Sequence, residues 1–258
     1  MTRSAPRLSK TARHSRIIDA LRAESSLRIN DLSSRLSVSP ETVRRDLAEL
    51  DEAGKISRIY GGATQLVQHE PGLAVREALM MPERARIAEA AVQRVESGEI
   101  LAIGGGATTL HFARKLATAR DHLTIITHAF SIAVALAVNP THKVLMLPGL
   151  YDGREGLIHG PDTIDALTRF HVDKAFVGAS GLTPDGPSDA GLGPGLVYRA
   201  MIRRSARTFI LADQTKFDKP SLAVYGPWSP TMNLITDLSP SGGLAATLDA
   251  VGVQVVVA

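Results

Sequence analysis

Apolar residues in the first sixty positions recur at helical intervals. Ile17, Ile18 and Leu21 predict a helix over residues 11–23, followed by a short extended piece at Leu27-Arg28-Ile29. Asn30 is then read as the cap of a second helix carrying Leu32 and Leu36 on one face. Ser37-Val38 makes a tight connection, and Ser39 caps a third helix. Pro40 suits the first turn of that helix, where its missing N–H would have no partner anyway. Val43, Leu47 and Leu50 fall at i, i+4, i+7 and form a buried stripe, and Gly54 supplies the stop. Lys55 to Tyr60 alternates polar with apolar before Gly61-Gly62, the pattern of a small β wing. Two short helices across a three-residue turn, followed by a wing, predict a winged helix-turn-helix.

Beyond residue 65 the pattern changes. Residues 66–82, with Pro71 and Pro82, carry little periodicity and read as a linker. From Glu83 a helix with Ile87, Ala91 and Val95 on its buried side is expected to run to Gly98. Short β-rich runs then alternate with helical segments: Ile100–Ile103, Leu123–Ile126, Val144–Leu147, Ala175–Val177 and Thr208–Leu211. That rhythm predicts an α/β domain with a mostly parallel sheet covered on both faces.

Composition narrows the class. Apolar residues make up 44%, ordinary for a globular chain, and there is no cysteine to build a disulfide or a thiolate metal site. The basic start has no apolar run behind it and no segment approaches a membrane span, so a soluble, cytoplasmic protein is expected. Net charge is only +3 but is unevenly placed. Residues 1–62 hold 12 Lys/Arg against 8 Asp/Glu, whereas the remainder holds 17 against 18. A positive amino end suits a polyanionic partner, which the winged helix-turn-helix reading makes double-stranded DNA.

The candidate chemistry lies in two places. With Val43 and Leu47 turned inward, Glu41, Thr42, Arg44 and Arg45 point outward from the third helix, with Ser39 at its start. In this motif that helix enters the major groove, where arginine can grip guanine or pin a phosphate. Arg58 and Tyr60 on the wing are candidates for backbone contact, and Asp46 is expected to orient an arginine. The second place is the carboxyl edge of the predicted sheet, where open α/β folds bind ligands. The loops there supply Gly104, Gly105, Gly106, Ala107, Thr108 and Thr109, then Thr127 and His128, Gly149, Gly181, Asp213 and Lys216. The first loop opens a helix, whose free N–H groups suit a phosphate. It is not a Walker loop, GxGxxG is incomplete, no GxSxG elbow occurs, and the eight histidines show no ligand spacing. No catalytic residue, metal or cofactor is therefore assigned.

Residues 13–63, and above all VSPETVRRDLAELDEAGKISRIYGGA, resemble the DNA-binding domain of the DeoR family of bacterial transcription regulators. The resemblance extends through GGGATT, TH, PG, VGASG and DQTKF over nearly the whole chain. It implies a helix-turn-helix over residues 27–46 within a winged domain at 10–65, a linker at 66–82, and an effector-sensing, oligomerising α/β domain at 83–258. It also implies a fold like ribose-5-phosphate isomerase and a homodimer or homotetramer. The expected function is a repressor of carbohydrate or polyol genes, controlled by a small phosphorylated metabolite; a sugar-phosphate isomerase-like enzyme with a fused DNA-binding domain is the alternative. Departures from the family stand at Gly104 (usually aspartate), Ala107 (threonine), His128 (asparagine), Leu150 (glycine) and the DAGLGPGLVY segment, which lacks the usual glutamate and lysine. They leave open an effector that is smaller or is not a sugar phosphate.

Overall fold

A computed structural model of the protein describes residues 9–24, 26–52, 56–59, 61–65 and 71–258. The chain divides into two units, Met1–His69 and Glu70–Ala258. The first contains α1 (Lys10–Ala23), β1 (Ser26–Arg28), α2 (Ile29–Leu36), α3 (Pro40–Glu52), β2 (Ile56–Ile59) and β3 (Gly62–Gln65). The strands form an antiparallel sheet in the order β1-β3-β2, so the wing pairs with the strand that precedes α2 and α3. Ile17, Leu21, Leu32, Val43, Leu47 and Leu50 pack into one core, as their helical spacing requires.

One predicted cap is corrected. Asn30 lies inside the first turn of α2, which begins at Ile29 without a side-chain cap. The wing replaces the cap: the Ile29 N–H donates to Gly61 C=O at 2.9 Å. Ser39 does cap α3, its hydroxyl accepting from the Thr42 N–H at 3.2 Å. The expected stop at Gly54, and Lys55 with it, lies outside the described residues.

The second unit opens with α4 (Leu73–Glu77), inside the segment read as a linker, and α5 (Met81–Val92). Helix α5 ends well before Gly98. After Val92 the chain tightens into i to i+3 bonds, Arg94 N–H to Ala91 C=O and Val95 N–H to Val92 C=O, and Gly98 belongs to a separate turn. There follow β4 (Ile100–Ile103), α6 (Ala107–Ala119), β5 (Thr124–Thr127), α7 (Phe130–Ala137) and β6 (Lys143–Met146). A hairpin of β7 (Leu150–Asp152) and β8 (Leu157–His159) leads to α8 (Pro161–Leu167) and β9 (Val172–Gly178). Then come β10 (Gly181–Thr183), β11 (Gly186–Asp189), α9 (Leu192–Arg204), β12 (Ser205–Leu211), β13 (Ala223–Val224), β14 (Met232–Thr236), α10 (Gly242–Val251) and β15 (Gln254–Val257).

Seven of these strands form one parallel sheet in the order β15-β14-β12-β9-β4-β5-β6. All five predicted runs lie in it; β14 and β15 are additions. Residues alternate between two cores: Leu101, Ile103 and Phe176 face α5, α6 and α7, while Ala102, Ala175 and Val177 face α8, α9 and α10. On the first side Phe176 stacks between Phe112 and Phe209, with centroids 4.4 and 5.0 Å away. From β4 the chain builds outward through β5 and β6, then returns to lay β9 on the opposite side of β4. The β4/β9 boundary is thus the topological switch point, the place where such sheets open a crevice.

Candidate nucleic-acid interface and effector cleft

In the first unit, capping and packing fix α3, leaving its outer side for chemistry. Ser39, Glu41, Arg44 and Arg45 are exposed, and Thr42 is half-buried with its hydroxyl 2.9 Å from that of Ser39. Arg44 pairs with Glu41 at 3.0 Å, an exposed contact of little energetic weight. Arg45 has no hydrogen bond or ion pair among the described residues. Arg58 lies on β2, and Tyr60 falls outside the described residues.

Asp46 does orient an arginine, but on another helix. Its buried carboxylate accepts from Arg13 Nε at 2.7 Å and Nη2 at 2.9 Å, and lies 3.3 Å from His14 Nε2. Burial pushes this carboxyl up; the Arg13 hydrogen bonds and charge, with His14, outweigh burial and hold it below its usual range. The pair locks α1 against α3. His14, Asp46 and Glu49 place ligand atoms within 4.8 Å of one another, but Arg13 and Lys10 already neutralise the two carboxylates, which makes this an ion-pair network.

In the second unit the parallel register gathers the predicted loops at one edge of the sheet. Gly104–Gly106 leave β4 beside Gly178 at the end of β9, and Gly106 adopts φ +127° to start α6. Ala107, Thr108 and Thr109 form the first turn of α6, all buried, with the Thr109 hydroxyl donating to Gly106 C=O. Thr127 is also buried and spends its hydroxyl on Ile103 C=O. Gly149 (φ +141°) and Gly181 are required by crowding, since a Cβ would lie 2.3 Å from Thr163 Oγ1 and 1.9 Å from Lys219 O respectively.

The switch-point crevice is occupied by the protein's own rings. His128 is fully buried, its Nε2 accepting from Gly105 N–H at 3.1 Å and its Nδ1–H donating to Ile158 C=O at 2.6 Å. Tyr198 donates its hydroxyl to Gly105 C=O at 2.8 Å, and Tyr225 donates to Gly178 C=O at 2.6 Å. The three rings meet edge to face at 5.5 Å centroid separations. A Cβ on Gly104 would come 2.7 Å from Tyr198 Cε1, so the missing side chain at 104 and the ring at 198 are one adaptation. Tyr198 and Tyr225 were not among the predicted site residues. Tyr198 closes the unusual DAGLGPGLVY segment, which was its signal; Tyr225 lies outside that segment and had none.

Asp213 caps a 3-10 turn over Gln214–Lys216 and is fully buried. Its cation is Arg84, whose Nη2 lies 3.5 Å from Oδ2, and Thr215 donates both N–H and hydroxyl to Oδ1. Arg84 also donates to the backbone carbonyls of Arg76 and Leu79. Lys216 is half-buried and sits two residues from this cluster's Gln214, which itself binds Asp237 through its N–H and amide.

His128 gives a pH signature. Desolvation lowers its pKa to about 4, partly offset by the Ile158 bond. Below ~6.5 the unfolded chain binds a proton the folded chain refuses, so stability is complete above that pH and falls as pH drops toward 4, by roughly 3 kcal/mol in all. Trp228, the single tryptophan, is buried in this unit and reports its unfolding. His111 and His142 are also held low by partial burial and add same-sign contributions. Denaturation of wild type and His128→Gln at pH 7 and 5 isolates His128; equal pH sensitivity in both would contradict its neutral, buried assignment.

A packed helix-turn-helix with arginines on the outer side of α3, and an α/β unit with a glycine loop at its switch point, have the make-up of a two-part transcription regulator. Residues 13–69 match the DeoR-like helix-turn-helix domain and residues 80–238 the DeoR C terminal sensor domain. The chain belongs to the DeoR family of DNA-binding transcription regulators. It is 33% identical to the transcriptional repressor AccR of Agrobacterium fabrum, covering 87% of this chain and 88% of that one. It is 29% identical to the glycerol-3-phosphate regulon repressor of Escherichia coli, covering 90% and 93%. Ribose 5-phosphate isomerase A from Methanocaldococcus jannaschii shares 52% of this chain and 53% of its own at 18% identity and TM-score 0.39, a likeness too distant to bear on mechanism. Among the described residues, no helix is long and apolar enough to cross a membrane.

Proposed function

We propose that the protein is a cytoplasmic repressor of carbohydrate or polyol genes, binding operator DNA through α3 and releasing it when the C-terminal unit takes up a small phosphorylated metabolite. The observation that carries the first half is the exposed Arg44–Arg45 pair on a capped helix whose opposite side is fully packed. Arg45 and Thr42 are assigned to base edges or adjacent phosphates, Arg44 to phosphate, and Ser39, Glu41, Arg58 and Tyr60 to the flanks of the same contact. One head buries little DNA, so a homodimer or homotetramer on repeated half-sites is the working form.

For the effector, the first-turn N–H groups of α6 and the positive end of its dipole suit a phosphate at the switch point. Thr108, Thr109, Gly106 and Lys216 are its nearest candidates. Gly105, whose N–H and C=O are spent on His128 and Tyr198, shapes the wall. A sensor is favoured over an isomerase because the buried groups that could move protons are committed. Asp213 is paired with Arg84, Asp237 with Gln214, and His128 has both nitrogens bonded.

The effector half is tested by melting the protein with phosphorylated and unphosphorylated sugars, polyols and sugar acids. A true effector at 100 times its Kd stabilises by about 2.7 kcal/mol and weakens operator binding reciprocally. A panel in which nothing shifts the melt, while operator binding persists, would leave a DNA-binding protein without this sensor function. Turnover of ribose 5-phosphate would favour the enzyme instead.

A further inference from the structure

Helix α7 reads FSIAVALA and carries no charge on any side. Its inner face buries Ile132 and Leu136. Its outer face presents Phe130, Val134 and, one residue past its end, Val138, at i, i+4, i+8; Val134 is 61% and Val138 70% exposed. A helix that is apolar all round belongs in an interior. The adjoining strand β6 is one of the sheet's two edges, paired among the described residues only with β5; its Val144 packs on the α7 side and its Leu145 is exposed on the other face. Parallel strands are normally covered on both faces, and an open edge needs a cover or a partner. The stripe continues onto the β7–β8 hairpin, where Tyr151 meets Phe130 at 6.0 Å and Leu150 is 69% exposed.

From these observations we propose that the α7 face, the β6 edge and the tip of β7 form the contact between two copies of this chain. The apolar area is the first argument: these side chains leave ~600 Å² open per copy, the upper end of what the largest apolar patch on a monomer shows. Two such faces supply ~1,200 Å², where specific protein interfaces begin. The second argument is charge. A two-fold contact sets a patch against itself, and a face built of Phe, Val, Leu and Tyr is self-complementary with no like-charge penalty. The contact also touches the effector cleft through backbone. Phe130 N–H donates to Gly156 C=O, and two residues along the hairpin Ile158 C=O receives His128, the ring that holds Gly105. Self-association and the glycine loop therefore share one hairpin.

Sedimentation velocity of the full chain from 0.5 to 50 µM, at pH 7.5, tests this. Wild type is expected to sediment as a dimer or larger, and Val134→Glu/Val138→Glu as a species of lower mass with unchanged circular dichroism. Both positions face solvent, so the unit's own core is untouched. As a second measurement, hydrogen exchange of wild type should show protection of residues 130–138 and 143–146 that rises with protein concentration. A monomeric wild type, a double variant of wild-type mass, or protection independent of concentration would each overturn the assignment.

Discussion

Alanine at both Arg44 and Arg45 should weaken operator binding by at least 30-fold per reading head, and by up to about 10⁴-fold if both side chains contact DNA at full strength. Each base-edge or phosphate contact is worth ~1–3 kcal/mol, and the two add where their partners on DNA differ. The fold should not respond. Both side chains are exposed, and neither touches the Val43–Leu47–Leu50 stripe that holds α3 in place. The single variants separate the roles. Arg44 is already half-neutralised by Glu41, so its loss should mainly reduce the salt slope, as expected for a phosphate contact. Arg45, without a partner among the described residues, should carry more of the sequence preference. Fluorescence anisotropy on selected genomic fragments between 50 and 200 mM salt reads all three quantities. The wild type should lose ~10³-fold affinity over that range if six or more phosphates are contacted. Unchanged affinity in the double variant would remove α3 from the interface.

The reading head was legible because its determinants are local. Ser39, Pro40 and the 43–47–50 stripe specify a capped amphipathic helix within twelve residues, and a three-residue turn leaves little freedom in what precedes it. Asn30 misled for the opposite reason: the donor of α2's first turn is satisfied by Gly61, more than thirty residues later. The sheet was legible in its five buried runs of Val, Ile, Leu and Phe. Strands β14 (MNLIT) and β15 (QVVV) escaped although α10 separates them in the same rhythm and they are no shorter than β4, β5 and β6.

The cleft was legible as a location and not as a surface. Loop composition indicated which edge of the sheet carries chemistry, but which groups remain available depends on partners far along the chain. Gly105 is bonded by residues 23 and 93 positions away. The sequence marked Gly104 and the 189–198 segment as separate departures; only packing reveals that Tyr198 occupies the room a side chain at 104 would need. Arg84 was readable in principle. It precedes Ile87, Ala88 and Ala91 on the buried stripe of α5, and a charge on such a stripe asks for a buried partner.

That partner gives the second large effect. Arg84→Met should destabilise the C-terminal unit by ~3–5 kcal/mol, the range for removing one member of a buried ion pair. Arg84 is 4% exposed and Asp213 fully buried, so no water replaces the lost guanidinium without rearrangement. Two carbonyls, of Arg76 and Leu79, lose donors in the same step. In a unit of this size each kcal/mol moves Tm by about 2–4 °C, so the Trp228 transition should fall by roughly 10 °C. Asp213→Asn on the Arg84→Met background removes the stranded charge and should recover part of the loss, a coupling of 1 kcal/mol or more. Phosphate binding offers an independent readout. A phosphate arriving beside Lys216 and the start of α6 would be repelled by a bare Asp213 carboxylate, which Arg84 neutralises at 3.5 Å. Arg84→Met should therefore weaken an effector found by the melting panel, measured by calorimetry well below the variant's Tm, and Asp213→Asn should restore it. If stability falls and effector affinity does not, the pair only braces the α4–α5 connection and the phosphate lies elsewhere on the sheet's edge.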